Sequence, residues 1–71
     1  MQVKREWLVR CTDNQEQPSV CSIAVSDGIV EVWDTNGHVI KFGGTEIEDF
    51  RTMFAEAAER AAADEGLRRA G

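Results

Sequence analysis

The chain is poor in the residues that covalent or metal-held scaffolds depend on. Its two cysteines, Cys11 and Cys21, cannot build a disulfide framework and have no companions at metal-ligand spacing. The one histidine, His38, falls in a turn with no carboxylate or cysteine at ligand spacing, so it reads as an ordinary loop residue. No serine has a companion histidine in a nucleophile motif. Gly43-Gly44 lacks the rest of a phosphate-binding loop, and no two carboxylates have a sequence reason to converge. No enzyme, cofactor or metal is expected. No apolar run approaches the length of a membrane span. No apolar core follows Lys4 and Arg5, so no signal peptide is expected, and reduced thiols in the cytoplasm are the expected setting.

Positive charge is also in short supply. Thirteen acidic residues face eight basic ones, for a net charge of −5. Repulsion from phosphates argues against direct nucleic-acid binding; the acidity would favour a basic protein partner, although solubility is the commoner reason for an acidic surface. Seventy-one residues make one small domain, residues 1–71. A chain of this size stabilises itself weakly and often leans on a partner.

The chain is organised around residues 20–42, VCSIAVSDGIVEVWDTNGHVIKF. Asp27-Gly28 lies between apolar runs and reads as a two-residue hairpin turn with positive φ angles. It sets Val25 opposite Val30 and Ile23 opposite Val32. The second turn contains Asn36-Gly37, and its length decides the register. A two-residue loop mixes apolar and polar residues on each face. A three-residue loop, Thr35-Asn36-Gly37, with Gly37 left-handed, pairs Val32 with Ile40 and Val30 with Phe42. The cleaner pattern is preferred. The inner face is then Ile23, Val25, Val30, Val32, Ile40 and Phe42, and Ile29, Glu31 and Trp33 point the other way.

The remaining elements follow from the flanks. Residues 4–11 alternate as an edge strand, with Trp7, Val9 and Cys11 on one side. Residues 12–19 are polar, include the only proline and read as a mobile loop. Strands are expected at about 4–11, 20–26, 29–34 and 38–42. After Gly43-Gly44, Thr45 and Glu48 read as a capping box that starts a helix over about 45–65. Gly66 reads as its stop or fray point, and Arg68 and Arg69 suit the negative end of the helix dipole. Ile47, Phe50, Phe54, Ala57, Ala58 and Ala61 form one apolar stripe with Met53 at its margin. The expected fold is therefore α+β: a small antiparallel sheet of three to four strands with one long C-terminal helix packed on one face. The large stripe residues are expected to cover the inner face. The alanines are expected to overhang it, serving either a close interface or an exposed, soluble helix.

One helix cannot cover both faces of the sheet. Trp33 beside Ile29 and Val39 therefore reads as a partner surface, although the N-terminal strand or loop folding over it is the alternative. Trp7 either joins that surface or fills an edge of the core. The candidate partner-binding residues are Trp7, Ile29, Trp33, Val39, Ala57, Ala58 and Ala61.

The series Trp7, Cys21-Ser22-Ile23-Ala24-Val25, Val30-Glu31-Val32-Trp33-Asp34, Val39-Ile40-Lys41-Phe42 and Glu46-Ile47-Glu48-Asp49-Phe50 resembles a family. It is that of the small BldB-like actinobacterial regulators, domain-of-unknown-function family 397. Trp33 stands where that family has arginine, and a Ser-Lys-Asp-Pro segment after the aspartate is absent. The resemblance covers about residues 7–54. It implies a non-enzymatic, dimeric, antitoxin-like developmental protein. Such a protein binds and antagonises a helix-turn-helix regulator of the XRE type and takes part in transcription regulation. The alternative from another class is a self-assembling structural or accessory module, for example a phage-associated one.

Overall fold

The computed structural model describes the backbone of residues 3–70 and the side chains of residues 3–66. Four strands, β1 (Glu6–Thr12), β2 (Pro18–Ser26), β3 (Ile29–Trp33) and β4 (Val39–Phe42), precede one helix, α1 (Thr45–Ala70). The strands form one antiparallel meander in the order β1-β2-β3-β4. The class is the α+β one expected from the sequence.

The register of the central hairpins follows from their turns. Asp27 (φ 52°) and Gly28 (φ 78°) both adopt positive φ, and Val25 pairs with Val30 and Ile23 with Val32. In the next turn Gly37 takes φ 87°, Val32 pairs with Ile40 and Val30 with Phe42. Asp34 closes this loop. Its Oδ1 accepts from the amides of Asn36 (2.9 Å) and His38 (2.8 Å), and its Oδ2 lies 3.0 Å from His38 Nδ1. The His38 amide leads the interactions that hold the Asp34 carboxyl below the usual carboxylate range. His38 thus has a carboxylate partner four residues back, which the sequence reading missed.

The loop expected over residues 12–19 is shorter, residues 13–17. β1 runs to Thr12 and β2 begins at Pro18, the first strand position, where a residue with no N–H to donate is tolerated. The turn between them repeats the Asp34 device. Asp13 Oδ1 accepts from the amides of Gln15 (2.9 Å) and Gln17 (2.8 Å), and Glu16 stands at φ 62° where the other turn has Gly37. Two turns of one design therefore flank β2 and β3, one with glycine at the left-handed position and one with glutamate.

The helix start also differs from the expected capping box. The Glu46 carboxylate reaches back to the Gly43 amide (3.0 Å), whereas Glu48 pairs with Arg51 at 3.2 Å. Gly66 does not stop the helix. It lacks the positive φ of a C-cap, and α1 continues to Ala70 through residues that favour helix. The side chains of Arg68 and Arg69 lie outside the described residues.

The helix leaves the sheet largely uncovered. Only two residues separate β4 from α1, and Gly44 turns there at φ 56°. α1 therefore starts at the sheet's edge, and its apolar residues reach back as far as Phe42. Phe42 and Phe50 meet with centroids 4.7 Å apart, and Phe50 stacks on Phe54 at 5.8 Å. Ile47 is half-buried, but Met53 and Phe54 are 66% and 63% exposed. They do not cover the inner face, as their stripe suggested. At 26 residues α1 is about 39 Å long by the helical rise, which accounts for much of the molecule's 49 Å long axis.

The paired turns give a direct test. A non-glycine residue at a left-handed position costs about 1–2 kcal/mol. Glu16→Gly is expected to stabilise the protein by about 0.5–1 kcal/mol, after the added flexibility of the unfolded chain is deducted. Gly37→Glu is expected to destabilise it by about 1 kcal/mol. Urea denaturation of both variants checks the opposite signs.

Candidate interaction surfaces

The ladder sorts every strand residue to one of two faces. β1 pairs Trp7 with Ile23 and Val9 with Cys21, so both side chains join the inner face. That face then runs from Trp7 and Val9 through Ile23 and Val25, then Val30 and Val32, to Ile40 and Phe42. Cys11 and Cys21 lie diagonally across neighbouring strands on the same side, and both thiols are free. Slight desolvation at the sheet surface, followed by the neighbouring Cys21, pushes the exposed Cys11 thiol up. No side chain among the described residues is buried, and Ile40 is 63% exposed.

The outer face mixes apolar and paired polar groups. Leu8, Ser22 and Trp33 lie in one row across three strands. The Trp33 indole donates to Glu31 (3.2 Å), and Lys41 stands 3.7 Å from the other oxygen of that carboxylate. Ser22 donates to Glu6 at 2.7 Å. Trp33 is half-buried among these partners, with Leu8 and Val39 exposed nearby.

The candidate residues therefore divide. Trp33, Ile29 and Val39 share the outer face as expected. Trp7 does not join them, because pairing with Ile23 turns it inward, where Lys4 Nζ sits 5.7 Å from its ring. Ile29 has a local role as well: its Cδ1 occupies the space where a Cβ on Gly43 would lie, 2.7 Å away. Ala57, Ala58 and Ala61 are exposed on the part of α1 past the Phe50–Phe54 stack. Sequence reasoning missed Leu8, whose row position depends on the β1 register, and the open inner face itself. An open groove of about 500 Å³ lies where β4 meets α1. Its floor is Phe42, Phe50, Met53 and Phe54, and its rim carries Lys41, Glu46 and Asp49.

Among the described residues, no group of three or more His, Cys, Asp or Glu side chains is placed to hold a metal ion. No described helix is long and apolar enough to cross a membrane. Comparison with family models, curated proteins and solved structures found no match.

Ile29 leaves no room for a side chain at Gly43, where β4 passes into the helix. Gly43→Val is expected to cost about 1–3 kcal/mol, because Ile29 must move. Ile29→Ala in that background is expected to recover part of the loss, which a double-mutant cycle in urea would read as a coupling. Strict additivity would show that the junction does not depend on this contact.

Proposed function

We propose that this chain is a small, non-enzymatic regulatory protein that acts in the cytoplasm as a dimer. In this reading it binds and antagonises a helix-turn-helix regulator of the XRE type. One observation carries the reading: apolar side chains stand open on both faces of the sheet and none of the described residues is buried. Uncovered apolar surface rimmed by polar groups is the mark of a protein that works by association. Two faces leave room for two associations, one with a second copy and one with the regulator.

The Trp33 face suits the regulator. It offers a tryptophan held in place by Glu31, aliphatic neighbours and a polar margin, the composition of an interface hot spot with its rim. The net charge of −5 favours approach to the basic surface of a DNA-binding protein. The exposed alanines Ala57, Ala58 and Ala61 allow close approach of a partner helix. The resemblance at residues 7–54 supplies the class of regulator. The second reading, a self-assembling structural module, draws on the same open surface and needs no other partner.

Affinity capture of the tagged full chain from its host is expected to bring down a helix-turn-helix protein at equal stoichiometry. Trp33→Ala is expected to weaken that complex about 30-fold or more in a titration, leaving the mass of the free protein unchanged. Added salt should slow association. Capture of the bait alone would favour the self-assembly reading, and unchanged affinity would remove Trp33 from the interface.

A further inference from the structure

We infer that the inner face of each sheet is covered by the C-terminal helix of a second copy of this chain, in a reciprocal dimer. This rests on the dimeric reading above and adds the geometry. The chain exposes 6433 Å². A compact monomer of 7.9 kDa exposes about 4,400 Å² by the surface scaling of folded proteins, so roughly 2,000 Å² is in excess. Two chains together carry about 4,000 Å² of excess, within the roughly 2,000–5,000 Å² that obligate homodimers bury in total.

The excess surface is self-complementary. One chain presents an apolar sheet face that lacks a helix, with Ile40 63% exposed at its edge. The same chain presents a helix that lacks a sheet, with Met53 and Phe54 open to water beyond the Phe42–Phe50 contact. A two-fold axis satisfies both needs at once, since an isologous interface sets each helix on the other sheet. Phe50 stays on its own Phe42 as the pivot, and the helix beyond it belongs to the neighbour.

The test uses the unmodified full chain. Sedimentation equilibrium is expected to give twice the chain mass at micromolar concentration. In a mixture of ¹³C-labelled and unlabelled chains, filtered NMR is expected to find inter-chain contacts from the Phe54 ring and Met53 methyl to the methyls of Val9, Val25 and Ile40. Phe54 is 63% exposed and its ring contact within the chain is the Phe50 stack, so a working monomer would lose little from Phe54→Ala. Here it is expected to raise the dimer dissociation constant at least tenfold. A doubled mass with inter-chain contacts only between sheet methyls, or only around Trp33, would overturn the helix exchange and leave the dimer standing. A monomer at those concentrations would overturn both, without touching the binding of a regulator.

Discussion

Apolar surface left open on the inner face of a four-stranded sheet is the constraint on which the rest of the molecule depends. Ordering each residue costs about 1–2 kcal/mol of backbone entropy, and burial at about 25 cal/mol per Å² is the main offset. The roughly 2,000 Å² of surplus surface, if only half apolar, represents about 25 kcal/mol of burial not yet realised. Typical net stabilities are about 5–15 kcal/mol. A sheet whose Val25, Val30 and Val32 are only half-buried and whose Ile40 is exposed therefore gains from a second layer. Its own helix, joined through Gly43-Gly44 at the edge, supplies part of that layer, at Phe42.

The turns do the opposite work, holding the sheet in register with local bonds alone. Asp13 and Asp34 each tie two amides, and the Asp27-Gly28 turn sets the hairpin between them. The outer face adds the Trp33–Glu31–Lys41 and Ser22–Glu6 contacts. These are polar, partly solvated interactions that specify pairing more than they stabilise it. The sheet is thus well specified and poorly covered, a division of labour that suits a protein whose last layer comes from another molecule.

How much of this was legible in the sequence varies with the range of the interaction. Hairpin register was readable at Asp27-Gly28 and Asn36-Gly37, because turn chemistry and alternation act over a few residues. The Asp13 turn was not, since Glu16 carries no signal for a left-handed φ and Pro18 looked like a breaker. Trp7's face could not be assigned without the β1–β2 register, which that hidden turn sets. The apolar stripe of the helix was readable, but not what it covers. Periodicity says that Phe54 wants burial, and the two-residue link after β4 decides that its own sheet is out of reach.

The most direct measurement is the urea midpoint of the full chain, followed by far-UV circular dichroism over a hundredfold range of protein concentration. If folding and dimerisation are one event, mass action should move the midpoint upward by about 1–2 M across that range. A midpoint independent of concentration would mean that the chain folds alone. The open inner face would then not be the surface that completes the fold.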